Sequence, residues 1–340
     1  MKLITFAVPC YNSAAYMEHC IRTLLHGGDE VEIIIINDGS KDETAAIADR
    51  YQAMYPNIIK AVHQENGGHG EGVNQGLRNA TGLYYKVVDS DDWLDADALD
   101  KLLAQLRIFA QMENPVDLVV ANYVYEHVED NTQKVMRYTS VLPQDRIFTW
   151  NEVGRFKPSQ FILMHAATYR TQVLRDSGVV LPKHTFYVDN VYVYVPLPYV
   201  KSIYYMDIDL YRYFIGRADQ SVTEENMIKR IDQQLRITRI IIDAHDLQAI
   251  EKENERLASY MYHFVSMMLM ICNIYLLMSG TPENLAKAKT LWQDLKTWRP
   301  ALYRRMRYRS ANVCFLLPGK VGRDIDIFFY KLVRRIYKFN

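Results

Sequence analysis

Val87-Val88-Asp89-Ser90-Asp91-Asp92-Trp93 ends a β-branched run and opens at once into three acids. Side chains two apart on an extended strand point the same way, so Asp89 and Asp91 converge at the strand's carboxyl end. Open α/β sheets bind their ligands at that end. Paired carboxylates there offer the oxygen donors that Mg²⁺ or Mn²⁺ takes, typically together with phosphate oxygens. In outline this is a metal and diphosphate site. A solvated acidic turn leading into a helix capped at Asp95 has the same local signature, so the neighbouring strands have to decide between them.

Upstream, Ile4 to Val8 reads as a buried strand that ends in Pro9-Cys10-Tyr11-Asn12, before a helix with Met17, Ile21, Leu24 and Leu25 on its apolar positions. Val31 to Ile36 has the near-continuous β-branched pattern of a parallel strand covered on both faces. It ends in Asn37-Asp38-Gly39-Ser40, where Ser40 and Glu43 read as the capping box of a helix running to about Tyr55. Ile58 to Val62 is a third strand. Glu65-Asn66-Gly67-Gly68-His69-Gly70-Glu71-Gly72 follows, so rich in glycine that its backbone must approach something closely. A helix starts there, and its N–H groups could face a diphosphate, although the Gly-Lys-Ser/Thr ending of a Walker loop is absent. Tyr84 to Val88 delivers the acids, and Ala96 to Met112 is an amphipathic helix. Strands alternating with helices at this spacing predict an α/β fold with a mostly parallel, doubly wound sheet. Its edge carries three polar loops: Pro9 to Asn12, Asn37 to Ser40, and Asp89 to Asp92.

Over about residues 3 to 105 these motifs, in this order and spacing, resemble glycosyltransferase family 2, an inverting family with the GT-A nucleotide-diphospho-sugar transferase fold. The carriers are Ala7-Val8-Pro9-Cys10-Tyr11-Asn12, Asn37-Asp38-Gly39-Ser40, Asn66-Gly67-Gly68, and Ala80-Thr81-Gly82 leading to Asp89-Ser90-Asp91-Asp92. Further on, Phe186-Tyr187-Val188-Asp189-Asn190 resembles the family's catalytic-base segment, and Tyr211-Arg212-Tyr213 through Gln220-Ser221-Val222 the loop that closes over the donor. The resemblance implies a nucleotide-sugar donor, most readily a UDP-sugar, with Pro9, Tyr11, Asn12, Asp38, Gly67, Gly68, Asp89, Ser90, Arg212, Gln220 and Ser221 around it. Asp38 would accept from the uracil imide N–H. Asp91 and Asp89 would hold Mn²⁺ or Mg²⁺ on the diphosphate. Asp189 would deprotonate the acceptor hydroxyl, with Trp93 and Asp92 bordering the acceptor. Two departures stand out. Many members carry a basic residue where this chain has Gly72-Val73-Asn74-Gln75-Gly76, a role open to His69, Arg212 or Arg217. The usual Glu-Asp pair is here Val188-Asp189.

With 340 residues, 49% of them apolar, the chain has room for one large α/β domain and an appendage. We expect residues 1–222 to form the catalytic domain, 1–115 carrying nucleotide and metal and 116–222 facing the acceptor. Residues 223–340 are then a helical region with a basic amphipathic tail. Lysine plus arginine balances aspartate plus glutamate, 40 against 40, and no reading module for DNA or RNA is recognisable. From Arg299 onward the balance breaks: eleven basic residues face only Asp324 and Asp326. Residues 298–340 therefore suit an anionic membrane surface, a solvated face or a dimer contact. Met261 to Met278 is apolar enough to raise the question of a membrane span, and reads as a buried helix. Four scattered cysteines give neither zinc spacing nor a disulfide framework. Without a signal-peptide pattern the expected setting is cytoplasmic, peripheral on the inner face of the membrane if the acceptor is a lipid-linked glycan. A sugar-nucleotide-forming nucleotidyltransferase and a catalytically silent membrane-docked scaffold are the competing readings. The oligomeric state and the identities of sugar and acceptor are not written in the sequence.

Overall fold

Strand β1 (Ile4–Cys10) is buried along its whole length, as its unbroken apolar run requires. A computed structural model describes residues 1–127, 130–158, 160–216, 223–317 and 319–337. It divides the chain into two units, Met1–Arg155 with Ile162–Arg217, and Phe156–Phe161 with Ala218–Asn340. After β1 come helix α1 (Met17–Leu25), strand β2 (Val31–Asp38), helix α2 (Thr44–Met54), strand β3 (Ile59–Gln64), helix α3 (His69–Asn79) and strand β4 (Tyr84–Val87). β1 pairs in parallel with β2 and with β4, and β2 in parallel with β3. Parallel register puts the carboxyl ends of β1, β2 and β4 on one edge. α1 buries Met17, Ile21 and Leu24 as its spacing predicts, with Cys20 completing the buried face and Leu25 only half-buried.

The remainder of this unit holds β5 (Trp93–Leu94), α4 (Ala96–Ala110), β6 (Leu118–His127), β7 (Thr132–Met136), β8 (Ile147–Phe148), β9 (Ala167–Arg170), α5 (Thr171–Asp176), α6 (Asp189–Tyr194) and β10 (Ile203–Ile215). Asp95 caps α4, its Oδ1 accepting from the Ala98 N–H at 3.0 Å. The ten-stranded sheet has the order β3-β2-β1-β4-β9-β6-β10-β5, with β7 beside β6 and β8 beside β10. Its parallel, doubly wound part runs from β3 to β4. Beyond that it is mixed, because β9 lies antiparallel between β4 and β6. β10 shifts register between Met206 and Tyr211, and then meets β5 through Tyr211↔Leu94 and Arg212↔Trp93. That irregularity brings a long strand onto the acidic loop.

The second unit is helical: α7 (Glu224–Lys229), α8 (Ile231–Ala244), α9 (Leu247–Glu253), α10 (Glu255–Ser279), α11 (Pro282–Trp298), α12 (Pro300–Arg309) and α13 (Gly319–Tyr337). α10 is long and apolar enough to cross a bilayer, yet 72% of its most apolar window is covered by the protein. A helix apolar on all sides belongs in a core, and each fully buried Leu, Ile, Phe or Met there contributes about 1.5–3 kcal/mol.

Candidate active site

The three strand-end loops are bonded to one another. Asn12, in the left-handed region at φ 50°, donates its N–H to Ser40 Oγ at 3.0 Å and accepts from the Lys41 N–H at 2.9 Å through Oδ1. Ser13 Oγ and Ser90 Oγ lie 2.8 Å apart. The loops after β1, β2 and β4 therefore form one continuous rim. Ser40 is spent on this rim and does not cap α2; instead, Asp42 Oδ1 accepts the Thr44 N–H. Pro9 lies within the buried end of β1, while Tyr11 is 50% exposed on the rim.

Asp38 is buried and anchors the glycine loop. Its Oδ1 accepts from the Gly67 N–H at 2.7 Å and from Gln64 Nε2 at 2.6 Å, and its Oδ2 accepts from the Gly68 N–H at 2.8 Å. What that loop approaches closely is the chain itself. A Cβ on Gly68, whose φ is +82°, would sit 3.0 Å from His184 N, and one on Gly70 would sit 2.9 Å from Pro182 O. The His184 N–H also donates to Gly67 O at 2.8 Å. Residues 181–188 are thereby laid against the glycines. His184 and Tyr187 both have positive φ, a backbone cost carried immediately before Asp189, which opens α6.

Asp89, Asp91 and Asp92 have diverging environments. Asp89 Oδ1 lies 2.8 Å from His69 Nε2, and its Oδ2 lies 3.9 Å from His165 Nε2. Burial opposes its charge, but the two imidazoles prevail and hold its pKa below the ordinary carboxylate value. Asp91 is half-buried. Asp92 is 1% exposed; its Oδ2 accepts from the Tyr211 hydroxyl at 2.6 Å and its Oδ1 from the Phe214 N–H at 2.9 Å. Burial, with Asp91 and Asp89 nearby, raises its pKa well above normal. The Tyr211 hydroxyl also accepts the Asp89 N–H at 3.1 Å. Asp92 is thus a brace between β10 and the acidic loop, and its enclosure takes it away from the acceptor, contrary to its expected place there. Across the site, burial pushes Asp189 up to about 6, with His69 opposing and Asp89 reinforcing that rise.

His165 was not singled out by the sequence. Its ring packs edge-on against Tyr211 and Tyr213, with centroids 4.7 Å away in each case. Both ring nitrogens are buried without a hydrogen-bond partner. Burial pulls its pKa down to about 4, leaving a neutral imidazole. Asp89, Asp92 and His165 each bring a potential metal-ligand atom within 4.8 Å of the others. Asp92 has both oxygens occupied, which leaves Asp89 and the His165 imidazole as the donors of this group available to a divalent cation; Asp91, expected as a ligand beside Asp89, is not one of the three. Behind His165, fully buried Lys86 donates from Nζ to His165 O at 2.6 Å, and burial lowers its pKa to about 7. A lysine inside the apolar run Tyr84 to Val88 was the available signal that something in that core needed a donor.

Arg212, expected beside the donor, is instead held by two carboxylates, Asp95 Oδ2 and Glu126 Oε1, each at 2.9 Å. Its guanidinium is satisfied within the protein and ties β10 to β6 and to the cap of α4. Trp93 pairs with it across the strands and meets the His19 ring edge-on at 5.1 Å. Gln220 and Ser221 lie outside the described residues, as does Arg217.

The sequence model of the family described as Glycosyl transferase family 2 matches residues 5–177, just over half of the chain. EpsH of Bacillus subtilis (strain 168) is 32% identical over 169 residues, 45% of this chain and 46% of that protein. The glycosyltransferase GlyG of Streptococcus pneumoniae serotype 4 (strain ATCC BAA-334 / TIGR4) is 34% identical over 133 residues, 38% of this chain and 42% of that protein. The matched region spans less than half the length of these curated relatives. The solved structure of S. aureus TarS 1-349 in complex with UDP-GlcNAc is similar with a TM-score of 0.58 at 19% identity, over 99% of this chain and 92% of that one. At that identity the likeness speaks for the fold.

Proposed function

This chain belongs to glycosyl transferase family 2 and is a transferase, and from that premise we propose that it moves a hexose-type sugar, with inversion, from a UDP-sugar to a hydroxyl of a glycan or lipid-linked glycan on the cytoplasmic side of the membrane. The observation that carries the reading is the divergence of two carboxylates, Asp89 at the strand edge and Asp189 at the start of α6. Asp89 is held ionised by His69, while Asp189 is raised by burial to about 6, with His69 opposing and Asp89 adding to the rise. One acid stays charged at neutral pH, and the other can take up a proton near it. Divergent carboxyl environments of this kind mark acid and base assignments.

In the proposed reaction Asp189 takes the proton of the acceptor hydroxyl as its oxygen attacks the anomeric carbon. The bond from that carbon to the diphosphate oxygen breaks, and the nucleoside diphosphate leaves with the electron pair. Asp89, Asp91 and His165 would hold Mn²⁺ or Mg²⁺, whose charge stabilises the departing diphosphate. His69 keeps Asp89 ionised, and the strained turn at Tyr187 fixes where Asp189 points. A uridine nucleotide is supported by the fold shared with TarS, solved with UDP-GlcNAc.

A hydrolysis and transfer screen against UDP-, GDP-, dTDP- and CMP-sugars, with and without Mn²⁺, tests the donor. Turnover of a UDP-sugar only with metal is expected. Nucleotide-sugar binding with no turnover for any acceptor would favour the silent scaffold, and formation of a sugar nucleotide from a sugar phosphate would favour the nucleotidyltransferase.

A further inference from the structure

α13 faces the wrong way for a soluble helix. The residues it turns inward are Gly322, Asp326 and Tyr330: Asp326 Oδ2 accepts the Leu317 N–H at 3.1 Å, and the Tyr330 hydroxyl lies 3.1 Å from that of Tyr275 on α10. The apolar side chains it turns outward include Val321, Ile325, Phe328 and Leu332, which are 73%, 47%, 67% and 42% exposed. Their spacing of four, three and four residues makes a single stripe down the helix. Val313 and Leu317, just ahead of the helix, are each 42% exposed, and Tyr308 is 64% exposed. Scattered exposed apolar residues are ordinary; a continuous stripe of them on one helix marks a surface that something covers.

The charge around the stripe selects what covers it. Lys320 and Lys331 are exposed about a quarter-turn from the stripe on one flank, with Asp324 on the same flank beside Arg323 at 3.7 Å. Between Arg299 and the end, eleven basic residues meet two acids, one of them the inward-facing Asp326. A second copy docking through this face would bring two such basic segments together, which like-charge repulsion disfavours. An anionic lipid surface accepts both features: the apolar side chains enter the acyl boundary while lysines and arginines stay at the headgroups. We propose that α13 is a membrane-docking helix that lies in the plane of an anionic bilayer with Val321, Ile325, Phe328 and Leu332 inserted. The proposal is independent of the sugar chemistry and stands whatever the donor is.

The test is co-sedimentation of the full chain with vesicles of phosphatidylcholine alone and of phosphatidylcholine mixed with phosphatidylglycerol. Binding is expected on the mixed vesicles and to weaken with salt. Ile325→Ser with Phe328→Ser should lower the partition coefficient more than about tenfold, since each removes a buried apolar side chain from the lipid. Lys320→Glu with Lys331→Glu should lower it by a larger factor on mixed than on neutral vesicles, at roughly fivefold or more per site. This pair leaves the apolar stripe intact, so it carries the test should the serine pair fail to fold. Both pairs should keep nucleotide-sugar binding. Failure of wild-type binding to mixed vesicles, or binding undiminished in both pairs, overturns the proposal. It is equally overturned by a concentration-dependent dimer in solution that the serine pair abolishes, which would assign the stripe to a second copy.

Discussion

Asp189 carries the most exposed prediction at the scale of single residues. A general base works only when ionised, and burial puts this carboxyl at about 6. Transfer should therefore be full above about pH 7 and fall tenfold per unit as pH drops below about 6. Asp189→Asn should cost about 10²–10⁴-fold in kcat while leaving donor affinity unchanged. Retained turnover in this variant would remove Asp189 from the mechanism. Lys86 makes a prediction of opposite character, about stability. Its folded-state pKa is depressed to about 7, so above that pH the unfolded chain holds a proton that the folded chain does not. The cost of burying it is present in full below about pH 7 and is relieved as pH rises toward the ordinary lysine value. Between about pH 7 and pH 8, below the range where buried thiols and tyrosines begin to act the other way, wild type should gain ~1 kcal/mol relative to Lys86→Met. Equal pH slopes in the two proteins would show that Lys86 is charged in the fold.

Among the elements, β10 and the glycine loop hold the site together. Tyr211 on β10 bridges the Asp89 N–H and the enclosed Asp92 carboxyl through one hydroxyl. Tyr211→Phe leaves both groups buried without it, and should cost about 1–3 kcal/mol in denaturant unfolding. A neutral result would mean that water replaces the hydroxyl. Gly70→Ala would drive a methyl group against Pro182 O and the Leu181 side chain, at 2.9 and 3.0 Å, and lift the loop that leads into Asp189. Turnover should fall by more than about tenfold with nucleotide affinity largely kept, because the misplacement falls on the base and not on the strand ends. Equal losses in binding and turnover would place the damage elsewhere. The strand ends were legible in sequence because β-branched runs that stop at polar residues mark the carboxyl ends of covered parallel strands. The ties between them were not. Ser40 reads locally as a cap and Arg212 as a donor ligand, while their actual partners, Asn12 in one case and Asp95 with Glu126 in the other, are remote in the chain.

For the whole molecule, the α/β fold with its helical C-terminal region and the acid cluster could be read early, since alternating strands and helices leave few topologies. Beyond β4 the sheet was harder to read. β9 spans only Ala167–Arg170, and nothing in so short a run declares that it lies antiparallel. His165 escaped notice because a lone histidine ahead of such a strand has no spacing signature; only folding sets its Nε2 3.9 Å from an Asp89 oxygen. α13 shows a related limit, since amphipathic spacing tells which side chains share a face, not whether that face looks inward. In the proposed reaction one strand edge holds donor and cation while Asp189 supplies the base. Calorimetric titration of UDP-sugar into wild type, Asp91→Ala and Asp189→Asn, each with and without Mn²⁺, separates these two roles. Metal-dependent binding is expected in wild type and in Asp189→Asn, and its loss in Asp91→Ala. Metal-dependent binding that survives in Asp91→Ala, or binding indifferent to Mn²⁺ in all three proteins, would contradict these roles.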